Sequence, residues 1–197
     1  MKCKMSRMLV VFTFMALSIT PAYAQKLAIK SNLFSDITTT INLGVEGGIA
    51  DKWSLELSGN YNPWTFSDNM KWKHWIIQPE AKYWFCEKFN GHFLGLHFHG
   101  GEYNVGNIDT SLKFLGSDLS IFKDNRYEGW LLGGGLSYGY SWILSNHWNL
   151  EANIGVGYAH IKYDEYDCET CGKWKKSGSH NYFGVTKFAL SIVYIIK

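Results

Sequence analysis

The stretch "DCETCGKWKKSGSH", residues 167–180, holds two cysteines, Cys168 and Cys171, separated by two residues. That spacing suits three chemistries. A local disulfide fits an oxidising compartment. A zinc knuckle would need two more ligands, which His160 and His180 on either side of the pair could supply. A redox-active pair would need a helix N-terminus in an α/β fold, and no such pattern surrounds it. Free thiols are the remaining alternative. His97 and His99 form a second candidate, because two positions along a strand share a face; without a clear third ligand they read as hydrogen-bonding partners of nearby carboxylates. His160 with Asp164 or Glu165 is the nearest approach to a nucleophilic acyl-transfer group, but no serine adjoins it. In "MKWKHW", Lys71 and Lys73 alternate with Trp72 and Trp75, a pattern suited to contact with phosphates or sugars and equally to anchoring at a membrane interface.

What these residues can do depends on the elements that carry them. "WNLEANIGVGY" alternates strictly: Trp148, Leu150, Ala152, Ile154, Val156 and Tyr158 on one side, Asn149, Glu151, Asn153, Gly155 and Gly157 on the other. This is the period of a two-faced strand. The same test predicts eight strands, at 26–34, 40–50, 53–62, 75–85, 92–104, 127–144, 148–163 and 181–196, with no segment of helical period. Connections after strands two, four and six are short ("ADK", "CEKFNG", "SNH"), as is 35–39. Those at 63–74, 105–126 and 164–180 are long. Long and short connections at opposite ends are the mark of an all-β, eight-stranded antiparallel up-and-down transmembrane β-barrel.

Aromatics point the same way. Trp53, Phe85, Phe93, Trp142, Trp148 and Tyr194 lie near the short turns. Tyr61, Trp64, Trp72, Trp75, Tyr103, Tyr127, Trp130, Tyr158 and Tyr182 lie near the long loops, so two interfacial belts are expected. Charged residues make up 18% of the chain and aromatics 17%, against roughly 25% charged in ordinary soluble domains. A net charge of +2 gives no footing for nucleic acid. Lys2, Lys4 and Arg7, an apolar run from Met8 to Ile19, and Ala22-Tyr23-Ala24 read as a signal peptide. The expected domains are therefore 1–24, removed on export, and 25–197, the barrel.

If the apolar faces meet lipid, the inward set is Lys30, Asn32, Asn42, Glu46, Glu56, Ser58, Asn60, Gln78, Glu80, Lys82, His97, His99, Ser137, Ser141, Glu151 and Lys187. Buried charges must pair, so Lys30, Glu46, Glu56, Glu80, Lys82, Glu151 and Lys187 are expected to form a lumen network that plugs the barrel. Cys86, on a short turn at the opposite end from Cys168 and Cys171, reads as a lone thiol.

The segments "WSLELSGNYNPW", "KWKHWIIQPEAKYWFC", "FNGHFLGLHFHGGEYNVG", "RYEGW", "SYGYSWILSNHWNLEANIGVGYA" and "CETCG" resemble domain-of-unknown-function family 3575, from Gram-negative gut and oral bacteria. The resemblance covers nearly the whole mature chain. It implies an outer-membrane-barrel-like protein and, because members often accompany fimbrial assembly proteins, a link to a surface organelle. It carries no catalytic residues and no cofactor. The architecture also resembles small OmpA- and OmpX-type barrels, which end in Phe or Trp where this chain ends "VYIIK". The expected function is a non-enzymatic outer-membrane barrel whose loops meet surface partners, with outer-membrane lipid and lipopolysaccharide around it. The alternatives are a lipid-A-modifying outer-membrane enzyme and a soluble periplasmic lipocalin-like binding protein.

Overall fold

Strict alternation gives each strand one face of charged, small or amide side chains and one of apolar side chains, so burying either face requires the sheet to curl. The computed structural model describes residues 26–108, 113–114, 117–118, 123, 125–167 and 172–196. Its elements are β1 (Leu27–Asn32), α1 (Leu33–Ile37), β2 (Ile41–Ala50), β3 (Trp53–Asn62), β4 (Lys71–Trp84), β5 (Gly91–Gly106), β6 (Lys113–Phe114), β7 (Ser117–Asp118), β8 (Asn125–Ile143), β9 (Trp148–Asp167) and β10 (Trp174–Ile196). Eight of the strands close into a barrel in the order β1-β10-β9-β8-β5-β4-β3-β2, while β6 and β7 pair only with each other. All pairings are antiparallel, and the first and last strands meet through Leu27↔Ile196 to Asn32↔Ser191. The expected eight-stranded up-and-down fold is the observed one.

Several boundaries differ from the expectation. β4 starts at Lys71, so "MKWKHW" belongs almost entirely to a strand. β9 and β10 run on to Asp167 and from Trp174, so most of the long connection expected at 164–180 is a hairpin rising above the barrel. Both faces of such an extension can meet water, which removes the alternation that marks a strand. The short helix α1 was also unexpected. Asn32 caps it, accepting from Phe34 N at 3.2 Å, and Thr39, at φ 55°, turns the chain back toward β2. Helix formation there ends β1 after six residues.

Faces follow the alternation. The inward positions hold Lys30, Glu46, Glu56, Glu80, Lys82, His97, His99, Ser137, Ser141, Glu151 and Lys187, all buried. Around the barrel wall the exposed strand positions are mainly aliphatic or aromatic, among them Leu43, Leu57, Ile77, Leu96, Leu136 and Ile154, whereas the upper ends of β9 and β10 expose Lys162, Lys175, Lys176 and Ser177. Five aromatics depart from the expected belts, Trp72 among them, at an inward register position opposite buried Val105. Phe93 is fully buried inside, while Tyr103, Tyr127 and Tyr182 occupy inward register positions opposite Gly129, Glu165 and Ala159. Tyr103 Oη donates to Lys162 O at 3.4 Å, crossing Gly129, where the missing side chain leaves room for the ring.

A bulge in β10 decides its inward residues. Val185 pairs with Val156 and Lys187 with Gly155, leaving Thr186 without a counterpart. The extra residue lets Thr186 and Lys187 both face inward.

Candidate functional site

The seven charged residues of the lumen network come from six strands: Lys30 from β1, Glu46 from β2, Glu56 from β3, Glu80 and Lys82 from β4, Glu151 from β9 and Lys187 from β10. Each is an inward position of its strand, so the barrel's closure is what brings them together. Lys82 Nζ donates to Glu46 at 3.1 Å, Glu56 at 2.6 Å and Glu151 at 2.6 Å. Lys30 Nζ donates to Glu56 at 3.0 Å and Glu151 at 2.7 Å, and it also pairs with Glu46. Lys187 Nζ reaches Glu80 at 2.8 Å and Glu56 at 3.3 Å.

Four carboxylates against three ammonium groups leave one negative charge in surplus, and neutral donors answer it. Ser54 Oγ donates to Glu46 at 2.5 Å. Ser137 Oγ and the Asn153 amide donate to Glu80, the latter at 3.2 Å. Charges removed from water are tolerated when each is paired and hydrogen-bonded. Glu46, Glu56 and Glu151 lie close enough to share a cation, but the Lys30 and Lys82 ammonium groups already stand among them.

Below the network, at the short-turn end, the lumen is shut by a feature that residue patterns did not suggest. Trp84, Phe89 and Phe93 pack with Ala28, Val193 and Ile195. Lys82 Nζ sits 4.5 Å from the Phe93 ring centre, and Trp84 Nε1 donates to Ser54 Oγ at 2.8 Å. Phe89 belongs to the β4–β5 turn and takes φ 64°, a strained value for a bulky residue. Its carbonyl accepts from Asn149 Nδ2 at 2.6 Å and Ser141 Oγ at 3.3 Å, which holds the turn in the barrel mouth. The signal in the sequence was the apolar residue inside "CEKFNG".

Above the network the interior opens into a cavity of about 400 Å³. Lys30, Glu56 and Lys187 form its floor, with Asn42, Ser58, Asn60, Gln78 and His99 on the walls. His97 and His99 stack at 5.9 Å. His97 bonds Thr186 Oγ1 at 2.9 Å and not a carboxylate, because the bulge delivers that hydroxyl to it. A Cβ at Gly155 would stand 2.7 Å from His97 Cε1, so glycine makes space for the ring.

The other candidates are not gathered into a site. His160 faces outward beside Trp130 and bonds Asn181 Oδ1 at 2.7 Å through Nδ1. His180 lies opposite Ile161, on the other face of the hairpin. Cys168 and Cys171 lie outside the described residues, as do residues 1–25 and Lys197. Asp164 is four positions from His160 and bonds Ser177 Oγ, while Glu165 faces inward. No Ser–His–acid arrangement forms around His160 among the described residues. Cys86 is free and exposed. Of the rim set, Lys71, Lys73 and Trp75 share one face of β4 and Trp72 the other; Trp75 Nε1 donates to Glu102 Oε2 at 3.0 Å.

These observations define a class: a small antiparallel barrel with a salt-bridged interior, one sealed end and an apolar exterior. Within it, the chain belongs to the family described as protein of unknown function (DUF3575), whose family model matches residues 9–196. Neither the comparison with curated proteins nor that with solved structures finds a match.

Proposed function

We propose that this chain is a non-conducting outer-membrane barrel that presents its long-loop end to partners at the cell surface. One observation carries the reading: the barrel is inside-out relative to a soluble one. Its lumen holds eight buried charged side chains, the seven of the network and Glu165, and the outward strand faces carry Leu43, Leu57, Leu96, Leu136, Ile154 and Phe188, each about half exposed or more. Soluble barrels of the lipocalin kind do the reverse, lining the interior with apolar groups. An apolar band around a closed barrel satisfies the bilayer, where every backbone polar group must be paired internally. The signal peptide expected from the sequence and the fimbrial association implied by the family resemblance support a partner outside the cell.

The aromatic side chains Trp53, Trp142 and Trp148 at one rim and Tyr61, Trp75 and Trp130 at the other support the two interfaces. The test is cellular. The protein should fractionate with the outer membrane and resist extraction by salt and alkali. A tag placed between Asp167 and Trp174, and one within 107–120, should be labelled on intact cells. Extraction without detergent, or labelling only after permeabilisation, would overturn the membrane reading or its orientation respectively.

A further inference from the structure

The barrel wall is incomplete on one side. β1 pairs only with Ser191–Ile196 of β10. From Leu190 up to Trp174, β10 pairs with β9 alone, because the chain leaves the sheet at Asn32 to form α1. β2 is no neighbour of β10 in the strand order, so a gap stands between them above α1. The cavity reaches this gap. Val185, Thr186, Lys187, Phe188 and Ala189 line it in succession, and so do Asn42, Leu43 and Gly44 of β2. Leu43 and Phe188 are outward side chains at the two unpaired edges, and their place in this lining carries the cavity to the outer face.

The mouth and the floor of this cavity differ in chemistry. At the mouth are Leu43 and Phe188, 57% and 55% exposed, with Phe34 of α1 against Phe188 at 4.7 Å between ring centres. The floor carries Lys30, Lys187 and Glu56. Asp36 stands beside the mouth, held by Asn42 Nδ2 at 2.6 Å and Ser31 Oγ at 3.0 Å. Lys30 and Lys187 are already paired with Glu46, Glu56, Glu80 and Glu151 in a network one negative charge in surplus, and Asp36 adds another, so the cavity favours the positive end of an occupant. The β10 edge adds a demand. Asn32 Oδ1 accepts from Leu190 N at 3.2 Å, but an open strand edge at membrane depth is tolerated only where it lines a polar cavity.

We propose that the cavity binds the zwitterionic head of a membrane amphiphile, whose apolar tail leaves sideways through the gap between β10 and β2 into the bilayer. The ammonium of the head lies between Glu56 and Asp36, its phosphate toward Lys187, whose ammonium meets two carboxylates where that of Lys30 meets three, and the tail over Leu43 and Phe188. Lateral entry is the only route that leaves the tail in lipid while the head reaches the floor. The site rests on the membrane reading above.

The experiment uses the full mature chain folded into vesicles of mixed phosphatidylethanolamine and phosphatidylglycerol. The protein is extracted with a maltoside detergent and weighed by native mass spectrometry to count retained lipids. Wild type should keep one phosphatidylethanolamine. Ser58→Trp, which fills the cavity, and Phe188→Trp, which crowds the mouth, should each lower that retention by about tenfold, a loss of roughly 1.4 kcal/mol. Leu136→Trp, on the outer face away from the gap, should not. Heat-modifiable gel mobility establishes that each variant is folded, and either of the two site variants suffices. Equal retention by wild type and a folded site variant would mean annular lipid only and would overturn the site. Preferential retention of phosphatidylglycerol would overturn the zwitterionic assignment. A barrel that folds into vesicles and keeps no lipid defeats this site alone, whereas one that does not enter vesicles defeats the membrane reading itself.

Discussion

Lys82 is fully buried, and its ammonium group touches three carboxylates from three different strands. Removing it leaves Glu46 and Glu151 with Lys30 alone and Glu56 with Lys30 and Lys187, so the surplus negative charge rises from one to two. Lys82→Met should cost about 3–5 kcal/mol, the usual penalty for stranding a buried partner. Glu56→Gln removes the carboxylate that bridges Lys30, Lys82 and Lys187, and should destabilise by a smaller amount because the surplus charge falls. The double variant should cost clearly less than the sum. Urea unfolding from lipid or detergent would measure all three, and plain additivity would mean that the two side chains do not interact in the folded barrel.

At the scale of the element, the two faces of β9 make unequal demands. Ile154 faces outward at 48% exposure and Asn153 inward at 4%. A lysine at Ile154 should impair assembly by about 2–4 kcal/mol, the cost of a lipid-facing lysine near mid-membrane. A lysine at Asn153 points to Glu80 and answers the surplus negative charge, so it should be milder. Heat-modifiable mobility ranks the two, and the reverse order would speak for an apolar interior. The bulge in β10 permits a second contrast. Deleting Thr186 restores regular pairing with Lys187 still inward, at the loss of one hydrogen bond to His97, about 1 kcal/mol. Deleting Ala189 also removes the bulge, but the pairing can then stay regular only by turning Lys187 outward. The first deletion should fold and the second should not; equal behaviour would show that the bulge does not set the face.

For the whole molecule, the aromatic cluster at the short-turn end and the seven-residue network block the lumen in series. The purified barrel in a planar bilayer should therefore show no stepwise ion current. Steady conductance steps by wild type would mean that the Phe89 turn swings out of the mouth and that the charges rearrange. Phe89→Ala, by opening a space in the plug, should lower stability by about 3–5 kcal/mol, and current should still be absent because the charged layer remains. The long-loop end is built differently: its walls stand higher on β8, β9 and β10 than on β1 and β2, so the rim there is one-sided.

The number of strands, their order along the chain and the inward faces of Lys30, Glu46, Glu56, Lys82 and Glu151 could all be read from the sequence alone, because a period of two is a local property of the chain. The meeting of those charges could be anticipated only as a consequence of parity and similar depth; the particular pairs depend on the stagger of eight closed strands. Other features needed the tertiary structure. The upper parts of β4, β9 and β10 carry no alternation of apolar with polar residues, since "KWKHW" and "YDEYD" set polar or aromatic side chains on both faces, buried Glu165 among them. Thr186 is inward because of a bulge, and a bulge is a mismatch between two strands, written in neither one. Phe89 lies in a turn, where no strand period assigns a face, and only the fold puts its ring in the mouth; Phe93, assigned above to an interfacial belt, shares the inward parity of His97 and His99. The lateral gap arises where Asn32 at once caps α1 and accepts from Leu190 N, an arrangement that exists only once β10 lies beside it.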